Sequence, residues 1–472
     1  MYSGVVSLRA LRIVIFLSEL NNLNLWATDI GNAYLEAFTD ELVVFRAGPE
    51  FGSLEGHLLK IVKALYGLRS SGLRWHERLA DVLTSMGFKP CKAEPDVWMR
   101  RSGDVYEYIA SYVDDLCLNA KHPEVLLEVL EKVHKFKLKG SGPMTFHLGC
   151  DYWRDKHGVL CCAPLKYIDR MIANYERMYG CKPKHYASPL DKGDHPELDT
   201  SDECEMDEIK QYQSLIGSLQ WAISLGRFDI AAAVMTLSSF RVSPRKGHLD
   251  RAKRVVGYLA KMKHGTLRVR TGEPDYSDLP TNEYTWERSV YGNVVELLPT
   301  DAPEPLGNPV VHTSYVDANL YHDLLTGRSV TATQHYLNQT LVDWFSKKQD
   351  TVESATYGSE FVAARIVTDQ NVAMRITLRY LGVPVKGPTH TFGDNESVVN
   401  SSSVPHAKLH KRHVMLSFHR VREAIASKLM TFNFIPGDNN PADILSKAWG
   451  YSQVWPTLKP VLFWEGDTMD CS

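Results

Sequence analysis

The sequence predicts a multidomain chain of mixed α/β and α+β character. Three observations point there. The chain has 472 residues, too many for one core at about 100–200 residues per domain. Its hydrophobic repeats switch between helical and strand periods in both halves. Finally, a stretch near 271–309 inverts the local charge and is punctuated by proline, as a boundary between folded regions would be. With 44% hydrophobic residues and 53 Lys+Arg against 56 Asp+Glu, a mostly disordered chain is excluded. A formal charge of −3 gives no global attraction to a polyanion, so any such contact must come from local charge segregation.

Leu8–Leu20 is apolar but interrupted by Arg9, Arg12 and Glu19, which predicts an amphipathic helix and neither a membrane span nor a secretory segment. Asn21, Asn22 and Asn24 then lead into an extended run, Leu25–Ile30, carrying Asp29 near its end. Helical spacing returns over Leu73–Met86 and stops at Gly87. Val105–Tyr112 and Leu116–Asn119 are strands around Val113-Asp114-Asp115. From Glu205 to Leu267 the pattern is helical, with breaks expected at Gly217, Gly226 and Pro244.

Beyond the boundary, Val310–Asp317 and Asn338–Phe345 are strand candidates and Glu360–Leu381 is helical. His390–Gly393 is a strand, Phe418–Leu429 a helix, and Thr431–Ile435 a strand. The eight cysteines (Cys91, Cys117, Cys150, Cys161, Cys162, Cys181, Cys204, Cys471) include no CxxC spacing. They predict free thiols in a reducing compartment, and a soluble intracellular protein.

Asp114 and Asp115 stand at a hairpin turn. Adjacent carboxylates aimed at one point repel, which a divalent cation relieves. A third carboxylate from a neighbouring strand, Asp29, would complete a two-metal site able to activate a hydroxyl and stabilise a leaving pyrophosphate. Three ordered motifs surround these acids: Trp26-Ala27-Thr28-Asp29-Ile30-Gly31-Asn32-Ala33-Tyr34-Leu35, then Leu65-Tyr66-Gly67-Leu68-Arg69 with Trp75 and Arg78, then Tyr112-Val113-Asp114-Asp115.

In order and spacing this resembles the reverse transcriptase of copia-type LTR retrotransposons. The resemblance implies a palm, a β-sheet with helices on one face, in which Asp29, Asp114 and Asp115 hold the metals. It places Tyr34 under the incoming sugar as a barrier to a 2′-hydroxyl, with Gly67 and Tyr112 also at the substrate. Phe146-His147-Leu148-Gly149-Cys150-Asp151 resembles the turn that grips the primer end, through Leu148 and Gly149.

Tyr212–Leu219, Arg227–Ile230 and His248–Leu259 resemble the family's helical thumb or connection. From Arg241 to Arg270 there are ten basic residues against Asp250 alone, so Arg251, Lys253 and Arg254 are expected to meet phosphates. Six such contacts would lower log K by about 5 per decade of salt.

The second acid set is Asp317 in Ser314-Tyr315-Val316-Asp317-Ala318, Glu360 opening a helix, Asp394 after a strand, and Asp443 in Pro441-Ala442-Asp443-Ile444-Leu445-Ser446-Lys447. Two strand ends and two helix starts can converge rigidly on one sheet edge. The order D-E-D-D, with Ser346-Lys347-Lys348-Gln349 between the first two acids, resembles retroelement RNase H. This implies that Asp317 bridges two ions and that Glu360, Asp394 and Asp443 complete their shells. Lys411, Arg412 and His413 would contact the hybrid backbone, and RNA would be chosen by its 2′-hydroxyls. One departure is that 435–442 lacks the histidine that retroviral enzymes carry before the last acid; His410, His413 and His419 lie upstream.

The expected organisation is a palm with incomplete fingers (1–155), a helical thumb or connection with the basic cluster (156–270), an acidic proline-rich linker (271–309), an RNase H-like α/β domain (310–449) and a tail (450–472). The resemblance starts partway into the family pattern, because Val5–Val14 is similar to the segment just before the first catalytic strand. The chain is therefore expected to be a polyprotein fragment, or a gene model that begins late, whose fingers lie upstream, and to polymerise poorly or not at all. Expected cofactors are Mg²⁺ or Mn²⁺, two per site. Expected partners are an RNA template, a DNA primer, RNA/DNA hybrid and dNTPs, with no membrane and the oligomeric state left open. The expected location is a cytoplasmic retroelement particle, with the nucleus as an alternative. Two alternatives to a polymerase with RNase H remain, an RNase H-only nuclease and a silent nucleic-acid-binding relic.

Overall fold

The computed structural model describes residues 4–279, 284–409 and 411–464; His410 and Cys471 lie outside them. The chain forms two compact units. One comprises the chain up to Leu148 with Pro303–Asn308 and Tyr380–Val383, and the other comprises Gly149–Ala302, Pro309–Arg379 and the chain from Pro384.

In the first unit, helix α1 (Leu8–Leu20) is capped by Ser7, whose hydroxyl accepts from the Ala10 amide, satisfying one of the helix's orphan donors. Strand β1 (Asn24–Ile30) follows. Short β2 (Val44–Arg46) and β3 (Leu58–Lys60) pair with each other, then come α2 (Ser71–Ser85), β4 (Lys89–Pro90), β5 (Val97–Ser102), β6 (Val105–Tyr112), β7 (Asp115–Ala120), α3 (Pro123–Glu128), β8 (Leu138–Pro143) and β9 (Phe146–His147). The main sheet has the order β4-β5-β6-β7-β1-β8. Alternation along its strands sends Ile30, Ile109, Leu116 and Leu118 into a core with Trp75, Leu79 and Leu83 of α2 and Leu126 and Leu127 of α3, as a period of two requires. The expected single helical face holds for α2 and α3. Helix α1 lies on the other face, where Ser18 Oγ donates to Asn119 Oδ1 at 2.6 Å.

The second unit opens with hairpin β10 (Cys150–Arg154) and β11 (Leu160–Ala163), then α4 (Leu165–Tyr179), α5 (Met206–Ser224), α6 (Ala231–Leu237), α7 (Lys246–Lys261) and β12 (Leu267–Val269), which pairs with β11. Gly217 does not break the helix; it lies inside α5, where packing outweighs its cost of about 1 kcal/mol. Next come β13 (His312–Asp323), β14 (Arg328–Leu337), β15 (Thr340–Lys348), α8 (Thr356–Tyr380), β16 (Thr389–Gly393), α9 (Glu396–Ser403), α10 (Met415–Ala426), β17 (Met430–Phe434) and α11 (Tyr451–Leu462).

These strands form a five-stranded sheet of order β15-β14-β13-β16-β17, antiparallel through β13–β15 and parallel through β16 and β17. Val316 and Ala318 face a core with α8, α9 and α10. Tyr315, Ala332 and Leu341 face the other way, into a core shared with α5, α6 and α7.

Three expectations need correction here. Asp317 lies in the middle of β13, whose strand runs on to Asp323. Glu360 sits in the second turn of α8 and does not open it. Residues 451–462 of the expected tail are helical, with Val454, Leu458 and Leu462 buried in the larger core, because their spacing presents one apolar stripe.

Candidate active sites

In the first unit, register brings the acids together: Asp29 of β1 lies directly opposite Asp115 of β7, and Asp114 is the last residue of the turn between β6 and β7. Like charges facing across a strand pair are destabilising. Burial, then the charges of Asp114 and Asp29, push Asp115 up to about 6. Burial and Asp29 also raise Asp114, while Lys139 opposes the rise.

Two residues of this site were not assigned from sequence. Lys139 pairs in register with Asp29 across β1 and β8, and its side chain runs over Gly31, where an added Cβ would stand 2.8 Å from Lys139 Cε. The Tyr66 ring packs against that of Tyr34 at 4.5 Å, centroid to centroid, with the planes tilted by 58°. Burial first, then Asp114, Tyr34 and Asp29, raise the Tyr66 hydroxyl above its ordinary value. Gly67, at φ +100°, makes the bend that sets Tyr66, a conformation cheap only for glycine. The Glu41 carboxylate fixes this loop by accepting from the Ser70 amide at 2.8 Å and from its hydroxyl at 2.5 Å. Tyr112 pairs with Asp115 at the mouth of the hairpin.

In the second unit, the parallel pair Val316 and Gly393 sets Asp317 and Asp394 side by side. Glu360 joins them, and one carboxylate oxygen from each of Asp317, Glu360 and Asp394 lies within 4.8 Å of the others. Among the described residues this is the group of acids gathered tightly enough to hold one ion. Asp443 is held beside it by the buried Asn440 and Gln334 and by the half-buried Ser346. Asn440 Nδ2 donates to Val316 O at 2.9 Å, Gln334 Nε2 to Pro441 O at 2.9 Å and Ser346 Oγ to Leu445 O at 2.6 Å.

Burial, Asp443 and Asp394 push Asp317 up to about 7. Burial, with Asp317 and Asp394, raises Glu360 well above the carboxylate range. Burial and Asp443 raise Asp394. Lys447, quoted in the motif but given no role, ion-pairs with Asp443. Burial would lower its ammonium, but Asp443, Asp317 and Asp394 outweigh that and hold it charged.

Both clusters offer only hard oxygen donors on rigid elements, and Asp114 and Asp115 in the first and Asp317, Glu360 and Asp394 in the second are pushed toward protonation by burial and by neighbouring carboxylates. That chemistry fits Mg²⁺ or Mn²⁺.

The remaining expected contacts are placed differently. Arg251 is committed internally: Nε and Nη2 donate to Asp194 at 2.7 and 2.9 Å, and Nη1 donates to Asp199 at 2.6 Å. Arg254 pairs with Asp191 at 2.8 Å. Lys253 pairs with Asp250 at 3.5 Å and lies over the Tyr179 ring. Of the three cations expected to seek phosphates, Arg251 and Arg254 are therefore neutralised by acids of 191–199 and Lys253 by Asp250. Lys411, Arg412 and His413 are not buried, and His413 Nε2 meets Glu353 at 2.9 Å. Leu148 and Gly149 form a tight turn, at φ 46° and 93°.

Three acids gathered where β1 meets the β6–β7 hairpin, and a second group of acids at the join of the antiparallel and parallel halves of the other sheet, define a mixed α/β chain with two separate carboxylate clusters. Residues 1–189 match the family described as reverse transcriptase (RNA-dependent DNA polymerase). The chain is a relative of the copia-type retrotransposon Pol polyproteins. It is 23% identical over 449 residues to the retrovirus-related Pol polyprotein from transposon RE1 of Arabidopsis thaliana, covering 94% of this chain and 28% of that protein. To that from transposon TNT 1-94 of Nicotiana tabacum it is 24% identical over 461 residues, covering 94% and 31%. A putative transposon Ty5-1 protein of Saccharomyces cerevisiae is 28% identical over 250 residues, covering 52% of this chain and 79% of that protein. The chain thus spans under a third of the length of the first two relatives.

Proposed function

We propose that the chain is an RNA-directed DNA polymerase joined to an RNase H, each reaction served by its own acid cluster and a pair of Mg²⁺ ions, with Mn²⁺ as a substitute. The observation that carries the reading is the convergence of Asp317, Glu360 and Asp394 within 4.8 Å, alongside Asp29 facing Asp115 in the other unit. Divalent cations bound there supply charge neutralisation for in-line attack on phosphorus and for the departing oxygen.

In the polymerase site, Asp29, Asp114 and Asp115 hold the cations. Tyr34 walls the sugar pocket, and Tyr66, packed against it, extends the wall. In the nuclease site, Asp317, Glu360, Asp394 and Asp443 hold the cations. Lys411, Arg412 and His413 take the hybrid backbone, and RNA is preferred through its 2′-hydroxyls. The substrates are RNA template, DNA primer, dNTPs and RNA/DNA hybrid, in a cytoplasmic retroelement particle.

Incubating the chain with a labelled RNA/DNA hybrid, with Mg²⁺ and with chelator, tests the reading. Cleavage should require the metal and should fall at least a hundredfold in Asp394→Asn, an order-of-magnitude expectation for a lost metal-holding group. Undiminished metal-dependent cleavage by that variant contradicts it.

A further inference from the structure

The stretch 271–309 has the composition of a linker, yet its residues 271–279 and 284–302 belong to the second unit and are fastened within it. Tyr276 Oη shares a hydrogen bond with Thr313 Oγ1 at 2.7 Å. Glu296 accepts from Arg375 through both carboxylate oxygens at 2.8 Å and from Arg379 at 2.9 Å. Both arginines lie at the end of α8, the helix that carries Glu360. Tyr291 Oη bonds His419 Nδ1 at 2.6 Å.

The most telling attachment is Trp286, which is 9% exposed. Its ring lies 4.9 Å from the guanidinium carbon of Arg422, and the rings of Tyr291 and Phe418 lie 5.7 and 4.8 Å from the same carbon. Arg422 is 3% exposed and donates to three main-chain oxygens, those of Ser401 at 2.6 Å, Val404 at 2.7 Å and Pro405 at 2.6 Å. These oxygens belong to the end of α9 and the bend after it. Helix α9 starts two residues after Asp394, capped by Asn395, and Lys411, Arg412 and His413 follow Pro405 in the chain. Aromatic faces favour a guanidinium and exclude the water that would compete for its donors.

We propose that Trp286–Glu296 is a positioning strap, which boxes Arg422 against the end of α9 and so sets the path presenting Lys411, Arg412 and His413 to a hybrid backbone. This deepens the nuclease reading and rests on it. A strap that only stabilised the fold would change the amount of active enzyme and leave the grip on substrate alone.

The test uses the full chain. Hybrid affinity is read by fluorescence anisotropy with Mg²⁺ in the Asp394→Asn background, and kcat and KM for cleavage are measured with Asp394 intact. Trp286→Ala should weaken Kd and raise KM about tenfold at constant kcat, while Trp286→Phe, which keeps a ring over the guanidinium, should stay within about twofold of the parent. Arg422→Lys keeps the charge but cannot span three carbonyls; it should match Trp286→Ala, and it decides the matter if that variant does not fold. Unchanged Kd, or a fall in kcat at constant KM, overturns the strap. A parent that binds hybrid without cleaving it defeats the nuclease reading, while the strap is still judged on Kd. A parent that binds no hybrid overturns the strap as well.

Discussion

The indole Nε1 of Trp75 donates a 2.8 Å hydrogen bond to the main-chain oxygen of Val113. Val113 occupies the first central position of the two-residue turn between Tyr112 and Asp115 at φ 58°, a strained conformation for a β-branched residue. Trp75, 1% exposed, therefore ties α2 to the turn that aims Asp114 and Asp115. Trp75→Phe should destabilise the chain by about 1–2 kcal/mol through the orphaned carbonyl. Val113→Gly should stay within about 1 kcal/mol of wild type, because relief of strain offsets glycine's entropy cost. Urea unfolding of both variants checks the pair, and equal losses would contradict it.

Arg227 and Asp229 form a fully buried ion pair at 2.6 Å, and Tyr258 Oη donates to Asp229 at 2.7 Å. Asp229→Asn leaves the guanidinium charge uncompensated and should cost about 3–5 kcal/mol. The double variant Arg227→Met/Asp229→Leu should cost less than the single one. Denaturant titration distinguishes these outcomes.

His76 Nε2 meets Asp96 Oδ1 at 2.8 Å, and that hydrogen bond raises the imidazole's pKa against the opposing effect of burial. A folded pKa above the unfolded value of about 6.5 means the stabilisation is complete below about pH 6.5. It is lost as pH rises through the folded value. The Tm advantage of wild type over His76→Asn should therefore shrink with rising pH, and an advantage that grows would contradict the assignment.

Because Arg251 is held by Asp194 and Asp199, Arg251→Ala should lower stability by about 1–2 kcal/mol. The salt slope of hybrid binding should change by less than about 0.5, where a lost phosphate contact would change it by about 0.9. Measuring log Kd against log salt separates the two.

Much of this was legible from local pattern. The β-formers flanking Val113-Asp114-Asp115 announced a hairpin, and the apolar run Leu8–Leu20 interrupted by Arg9, Arg12 and Glu19 announced α1, because these signals lie within a short stretch of chain. What stayed hidden depended on distant partners. Strand β14 was missed because Asn338, assigned to a strand, is instead the first residue of a two-residue turn at φ 51°. Counting charges near Arg251 could not see Asp194 and Asp199 some fifty residues upstream. Proline and acid content made 271–309 look like a linker, while the anchoring role of Trp286 requires Arg422. The four acids proposed for the nuclease site were picked out by motif order, but the staple that seats Asp443, Asn440 to Val316, comes only from the fold.

The most direct measurement is Mn²⁺ binding, followed by the electron paramagnetic resonance signal of the free ion, in wild type, Asp115→Asn and Asp317→Asn. Two independent carboxylate clusters predict that each variant loses the ions of its own cluster and keeps those of the other. Variants that both bind Mn²⁺ like wild type would contradict the account.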